Sequence, residues 1–162
     1  NIDSLYRLVS PPQEFWEARN WVRDSLQFAN VRSVSVFETT IRELGGLLAA
    51  YDLSGDRIFL EKAAELGDRL LPAFNTPTGI PLPQVDLSNG RANANSWASG
   101  SVLAELGTLQ VEFRYLSNAT GDRRYAEAVN HVFELLASMN PKHGLFPIYI
   151  SPSTGKFTSD QV

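Results

Sequence analysis

Two glutamates stand at nearly equal distances before two similar turns in the sequence. Glu38 lies 17 residues before Gly55, and Glu105 lies 16 residues before Gly121. We therefore expect each carboxylate in the opening turns of the first helix of a helical hairpin, with both near the same end of the molecule. Two carboxyl groups at one opening suit glycoside hydrolysis, in which one acid protonates the leaving oxygen while another group activates water.

Glu38 also has a purely structural interpretation. The segment Ser35-Val36-Phe37-Glu38 matches a capping box, in which the glutamate would reach back to the start of its helix. Arg42 follows Glu38 by four residues, so the two side chains would meet either as a helix-stabilising ion pair or as two arms of one binding site. Spacing alone favours the structural role of each residue and leaves a chemical role open.

The histidines and tryptophans offer fewer candidates. His131 and His143 belong to no metal-ligand spacing and no Ser/His/Asp grouping, so we expect both at the surface or in turns. Trp16 and Trp21 should pack from the apolar face of a helix, which leaves Trp97 as the candidate for stacking on a sugar. The chain has no cysteine, and thiol nucleophiles and thiolate metal sites are therefore excluded.

The elements that would position these side chains are mostly helices, because apolar residues recur at helical spacing along most of the chain. Short turns between long amphipathic helices indicate antiparallel αα-hairpins, so we predict an all-α fold arranged as an αα-hairpin toroid. Gly45-Gly46 within the second helix suggests that a neighbouring helix approaches closely there. The predicted helices cover residues 14–28, 35–53, 57–74, 99–116 and 123–139.

Two stretches break this helical pattern. Residues 76–98 contain three prolines and two glycines, and we predict an ordered loop that contributes to binding. In residues 145–150, successive side chains would point to alternate faces of a strand, with Leu145, Pro147 and Tyr149 on one face and Phe146, Ile148 and Ile150 on the other. The turn-forming segment 151–155 follows, so we predict a small β-hairpin near the C-terminus.

An internal repeat supports stacked helix pairs. Gly55-Asp56-Arg57 and Gly121-Asp122-Arg123 each end one predicted helix and begin the next. Each is followed by an aromatic residue, one further residue and a glutamate, at 59–61 and 125–127, and the same triplet occurs at 15–17. Repetition of a turn and the helix start behind it is typical of helical repeat architectures.

Composition limits the classes of partner. The 162 residues, 43% of them hydrophobic, fit one domain spanning 1–162. A net charge of −4 without basic clusters argues against nucleic acid and anionic membranes. No apolar run is long enough for a membrane segment, and no leader is recognised. Asn118-Ala119-Thr120 is an acceptor triplet for N-glycosylation, which favours the secretory pathway although such triplets also arise by chance.

Longer segments carry a resemblance to a known family. Residues 36–51, with Phe37-Glu38-Thr39-Thr40-Ile41-Arg42 and Gly45-Gly46 among them, resemble the signature of class I α-1,2-mannosidases, glycoside hydrolase family 47. Similar matches follow at Thr78-Gly79-Ile80-Pro81 and at 103–113. Further matches lie at 97–100, 144–147 and 153–157, so the resemblance runs from about residue 14 to the end of the chain.

This resemblance implies an inverting, calcium-dependent hydrolase that trims terminal α-1,2-linked mannose from high-mannose N-glycans in the secretory pathway. That compartment would be the endoplasmic reticulum or Golgi lumen, or the exterior. Its fold would be a barrel of seven αα-hairpins, present here in part. Glu38 matches the proposed general acid, and Arg42 and Glu105 match residues of the substrate pocket.

Two departures from the family pattern shape further expectations. Residues 6–13 differ from the family's opening helix, and the chain stops before the segments expected to carry the water-activating base and the calcium ligand. We therefore expect an incomplete barrel that is inactive alone, has its Ca²⁺ ligand outside this chain, and self-associates through open edges. The alternatives are a non-catalytic helical glycan-binding pseudoenzyme and an αα-repeat interaction module.

Overall fold

The computed structural model describes residues 13–96 and 98–161, which are mostly helical. Helix α1 spans Gln13–Asp24. A continuous helical segment then runs through α2 (Val36–Thr39), a π-helical turn (Thr40–Leu44) and α3 (Gly45–Ser54). The next helix, α4, spans Arg57–Leu70 and continues as a 3₁₀ turn over Leu71–Phe74. The later helices are α5 (Leu103–Leu106), α6 (Gln110–Thr120), α7 (Arg123–Ser138) and a 3₁₀ turn (Lys142–Gly144).

Two αα-hairpins, α3–α4 and α6–α7, form the body of the described structure. Helix α4 also packs against α6, and α1 packs against α4. The interface is apolar: Leu66, Leu70, Phe113, Leu116 and Tyr125 are at most 1% exposed. The ring of Phe113 lies 6.4 Å from that of Tyr125, measured between centroids. Complete burial of these large side chains fixes how the second hairpin sits on the first.

The two hairpin corners are built in the same way, as the repeat predicts. Gly55 and Gly121 adopt left-handed conformations, with φ of 68° and 78°. Each is followed by an N-capping aspartate, since the side chain of Asp56 accepts from the Ile58 amide and that of Asp122 from the Arg124 amide. Glycine avoids the steric penalty of the left-handed conformation, and aspartate satisfies an amide at the start of the next helix.

Short strands complete the described fold. Strand β1 (Ser33–Ser35) pairs antiparallel with β2 (Gln84–Asp86), which pairs with β3 (Ala92–Asn93). Strand β4 (Ser101–Val102) pairs antiparallel with β5 (Tyr149–Ile150). The predicted C-terminal hairpin is present as a turn, in which the Ser151 amide donates to the Lys156 carbonyl over 2.9 Å. The predicted loop 76–98 is ordered where it is described, but it contains β2 and β3, which the sequence analysis did not predict.

Three sequence-based predictions need correction. The helix predicted over 99–116 begins as strand β4 and is interrupted at 107–109. The first helix ends at Asp24 instead of residue 28. Trp16 and Trp21 are 49% and 56% exposed, because α1 packs against the core through Phe15 and Val22 instead. The ring of Phe15 lies 5.9 Å from that of Phe59.

Candidate functional site

Glu38 is held at the start of a helix that follows directly from a strand. It is the third residue of α2, and its amide donates to the Ser35 hydroxyl oxygen over 3.2 Å. The Val36 amide donates to the Pro83 carbonyl, which ties the helix start to the loop before β2. The serine half of the predicted capping box is thus present. The Glu38 carboxylate, which would complete the box by reaching back to the helix start, instead accepts a hydrogen bond from Arg42 one turn further along.

Glu105 occupies the same position on a second strand–helix junction. It is the third residue of α5, which follows β4. The Leu103 amide donates to the Ile148 carbonyl over 2.8 Å, and the buried Ser101 hydroxyl donates to the Pro81 carbonyl over 2.7 Å. These tertiary bonds replace a side-chain cap, because the residue before the helix is Val102.

At the junction that carries Glu105, the backbone of Gly100 lies close to that of Ile150. A Cβ atom on Gly100 would lie 2.5 Å from the Ile150 carbonyl oxygen, so no larger residue fits there without a backbone shift. Strand β4 can therefore lie against β5 only with glycine at position 100.

The two carboxylates are close enough to affect each other. The pKa of Glu105 is raised above its ordinary value, first by partial burial and then by the negative charge of Glu38. Arg42 hydrogen-bonds Glu38, which raises the pKa of the guanidinium further. The side chains of Arg42 and Glu38 are 68% and 47% exposed. This ion pair faces solvent, with Glu105 as its partly buried neighbour.

The loop that contains Gly79-Ile80-Pro81 lies beside Glu105. Pro81 and Pro83 line a hollow together with Phe37, Val102 and Glu105. Its volume is about 10 Å³, far too small for a sugar ring. A sugar bound at this cluster would therefore rest on the solvent side of Glu38, Arg42 and Glu105, outside the hollow.

Neither histidine belongs to this cluster, as the sequence analysis predicts. His131 is exposed and its Nε2 is 3.1 Å from the Thr78 carbonyl oxygen, and His143 is exposed in a turn. Trp97 lies outside the described residues. Among residues 13–96 and 98–161, no three His, Cys, Asp or Glu side chains are grouped to hold a metal ion. Within the same ranges, no helix has the length and apolarity needed to cross a bilayer.

Comparison with known proteins identifies the family. The model of glycosyl hydrolase family 47 matches residues 1–162. The chain belongs to this family. It is 52% identical to a mannosyl-oligosaccharide 1,2-α-mannosidase of Arabidopsis thaliana, over 94% of this chain and 27% of that protein. It is 47% identical to the human endoplasmic reticulum mannosyl-oligosaccharide 1,2-α-mannosidase, over 97% of this chain and 22% of that protein.

A solved structure supports the fold assignment. The α-1,2-mannosidase from Trichoderma reesei superposes with a TM-score of 0.72 at 34% sequence identity, over 86% of this chain and 32% of the other. The prediction of a partial (α/α)₇ barrel for this family 47 chain is confirmed by that likeness. The chain spans only about a quarter of the two sequence relatives' lengths.

The structure also identifies positioning residues that the sequence did not single out. Ser101 and Pro81 join the two strand–helix junctions, and both are buried. A serine shortly before a helix normally suggests an N-cap, so its role as a tertiary donor has no sequence signal.

Proposed function

We propose that this chain is part of an α-1,2-mannosidase that removes terminal α-1,2-linked mannose from high-mannose N-glycans. Residues 1–162 would form one portion of a single catalytic domain, and the family membership and the relatives' names support that substrate class. The observation that carries the proposal is the matched placement of Glu38 and Glu105. Each is the third residue of a helix behind a strand, and the charge of one raises the pKa of the other.

In this proposal the three site residues have different roles. Glu38 is the general acid that protonates the leaving oxygen, and Arg42 and Glu105 hold substrate hydroxyls from either side. An inverting reaction places a water molecule between the sugar and a separate base, with the two carboxyl groups roughly 6.5–9.5 Å apart. None of these three residues is assigned the base.

Calcium enters the proposal only at the level of the whole enzyme. The described residues bring no three His, Cys, Asp or Glu side chains together, and the Glu38 carboxylate is paired with Arg42. This donor set does not fit a Ca²⁺ site by itself, because Ca²⁺ takes six to eight oxygen ligands. The proposed ion is therefore held by other residues of the enzyme, and none of the three site residues is given a metal-dependent step.

The proposed location is the secretory pathway. The human relative is named for the endoplasmic reticulum, and the substrate class, N-glycans, is found on proteins that pass through that lumen. The Asn118-Ala119-Thr120 triplet is consistent with the same location.

A second candidate function is glycan binding without hydrolysis. The loop 76–98 favours it, because β2 and β3 fix this loop against β1 and bring Pro81 and Pro83 beside Glu105. Such a module would bind high-mannose glycans with or without calcium and would release no mannose.

The deciding experiment measures mannose release from a Man9 N-glycan, with calcium and with a chelator. The chain is assayed alone and after it replaces the aligned segment of the Arabidopsis relative. Loss of the general acid in the chimera, by Glu38→Gln, should lower release by roughly 10²–10⁴-fold. The exposed neighbour Glu43 is the matched control, and Glu43→Gln should leave release near the parent rate.

Each outcome separates the two functions. Release by the chimera but not by the chain alone supports the partial-barrel proposal. Binding by the chain, with a chimera that stays inactive although its fold is intact, favours the glycan-binding module. Equal losses in Glu38→Gln and Glu43→Gln would reject Glu38 as the acid.

A further inference from the structure

Asn118 lies at the opposite end of the hairpins from Glu38 and Glu105. It is in the last turn of α6, and its side chain is exposed. Helix α6 alone rises roughly 12 Å from Gln110 to Asn118, at 1.5 Å per residue. An open cavity of about 420 Å³ adjoins it, lined by Tyr51, Asp52, Gly55, Tyr115, Asn118 and Ala119. A bulky group on this side chain would therefore project away from the proposed active site.

Within the acceptor triplet, the Thr120 hydroxyl has a structural role, whereas the Asn118 side chain has none among the described residues. Thr120 donates to the Leu116 carbonyl over 2.7 Å and accepts from the Asp122 amide over 3.2 Å. Ser54 makes the same two bonds at the first corner, to Ala50 and from Asp56. The hydroxyl therefore belongs to the corner in both repeats.

The residue two positions earlier differs between the repeats. The first corner has Asp52, whose carboxylate accepts from the Tyr115 hydroxyl over 2.5 Å. The second has Asn118, and within the described residues no side chain hydrogen-bonds its amide. Asn118 is thus not needed by the corner, and its amide nitrogen is free for modification.

We propose that Asn118 carries an N-linked glycan, an inference that rests on the proposed secretory location. The donor is an oligosaccharide bound to a lipid diphosphate. The side-chain amide nitrogen of Asn118 forms a bond to C1 of the first sugar while the bond from C1 to the diphosphate oxygen breaks. The lipid diphosphate leaves with the electron pair of the broken bond, and the proton lost by the amide passes to a base of the transferring enzyme.

Folding should limit when this transfer occurs. The acceptor triplet is defined by its hydroxyl as well as its asparagine, and the Thr120 hydroxyl is engaged in the corner once α6 and α7 have formed. Transfer therefore precedes closure of this corner, while the chain is still unfolded. The corner then forms around the modified residue without loss of a side-chain bond, because the Asn118 side chain makes none to the described residues.

The test expresses the whole 162-residue chain behind a cleavable leader in a secretory host. Intact mass is measured before and after treatment with an N-glycosidase that hydrolyses the Cγ–N bond of the side-chain amide, which releases the glycan as a glycosylamine and leaves aspartate at the modified site. The Arg91→Thr variant serves as the internal reference, since it completes a second triplet with Asn89 on an exposed turn.

Two glycans on the Arg91→Thr chain, one mapped to position 118, are the expected result. Asn118→Gln and Thr120→Ala should each remove that one and keep the glycan at Asn89. Thr120→Ser keeps both the corner hydroxyl and the triplet, so it should retain both glycans. A chain modified at Asn89 but bare at Asn118 would overturn the proposal.

The result is independent of the proposed enzymatic function. The added leader brings the chain into the lumen, and the readout is mass instead of mannose release. A bare Asn118 would therefore leave the assignment of Glu38 standing, and a failure of Glu38 as the acid would not alter the glycan at position 118.

Discussion

The proton on Glu105 is coupled to folding. Its folded-state pKa is raised above the ordinary value of 4.5, first by burial and second by Glu38. A carboxyl with a raised pKa binds its proton more tightly in the folded state than in the unfolded state. The stability gained from that proton is complete below the unfolded pKa and is lost as the pH rises from there through the folded pKa.

This coupling predicts the pH dependence of Glu105→Gln. The variant and the parent chain should have similar melting temperatures below pH 4.5, where Glu105 is protonated in both states. Above the folded pKa the variant should be the more stable, because glutamine carries no charge to desolvate or to repel Glu38. Thermal melts across pH check this. The exposed Glu61 provides the control, and an equal effect of Glu61→Gln would reject the explanation.

At the residue scale, the sequence predicted local interactions of the site residues but not the tertiary ones. The N-cap at Ser35 and the contact between Glu38 and Arg42 follow from local spacing and are both present. Burial of Glu105 does not follow from spacing, because it depends on Ser101, Pro81 and the distant strand β5. The catalytic and binding roles of Glu38, Arg42 and Glu105 come from the family resemblance and stay predictions.

At the scale of elements, Gly67 sets how closely α4 approaches the second hairpin. A Cβ atom there would lie 2.5 Å from Leu116 Cδ2 and 3.0 Å from Tyr125 Cε1. Both neighbours are at most 1% exposed and have little room to move. Although alanine is the better helix former, Gly67→Ala should destabilise the chain by about 1–3 kcal/mol, the usual cost of overpacking.

Gly46 is the matched control for Gly67. It is also within a helix, but no heavy atom lies within 4 Å of the Cβ position. Gly46→Ala should therefore stabilise the chain by up to about 1 kcal/mol through helix propensity. Denaturant melts of both variants measure the difference, and destabilisation by Gly46→Ala would contradict it. Close helix approach, expected for Gly45-Gly46, does not explain Gly46. At Gly45 a Cβ atom would lie 3.6 Å from Glu112 Cγ on α6, an ordinary packing distance.

Asp56 joins α1 to the first hairpin corner. It caps α4 through the Ile58 amide and accepts from Arg19 Nε over 2.7 Å, and these bonds lower its pKa, with Arg19 the larger cause. Because the folded pKa is lowered, this stability is present above the ordinary value of 3.8 and is lost as the pH falls through the folded pKa.

Substitution separates the two roles of Asp56. Asp56→Asn keeps an N-capping side chain but removes the charge, whereas Asp56→Ala removes both and should cost about 1 kcal/mol more from the cap alone. Hydrogen exchange should be faster in α1 for both variants and faster in the first turn of α4 only for alanine. Equal protection of α1 in all three chains would show that Arg19 does not hold it.

The elements that the sequence mispredicted depend on long-range partners. Leu103, Leu106, Leu109, Phe113 and Leu116 keep a helical period across the break at 107–109, so periodicity alone predicts one helix. The start of that helix is instead drawn into a sheet by β5, almost fifty residues later in the chain. The two corners at Gly55 and Gly121 were predictable because the bonds that close each turn and cap the next helix are local.

At the scale of the whole molecule, an apolar face stays open between the two hairpins. Helices α3 and α6 border an open groove of about 200 Å³. Its lining is mostly apolar, with Leu48, Ala49, Val111 and Tyr115, and also includes Asp52 and Glu112. Val111 is 74% exposed and Tyr115 is 37% exposed. Apolar groups clustered at one opening favour association, whereas single exposed ones do not.

We therefore expect the isolated chain to self-associate through this α3–α6 face. Sedimentation velocity at rising concentration should reveal species larger than the monomer, and Val111→Lys should shift them back because a buried lysine would lose its hydration. Phe133 is 43% exposed on α7, so Phe133→Lys is the control for an apolar residue on another helix. If both variants dissociate the chain equally, a less specific apolar surface is responsible. A parent chain that stays monomeric and melts sharply would mean that two hairpins bury enough apolar surface to stand without the rest of a barrel.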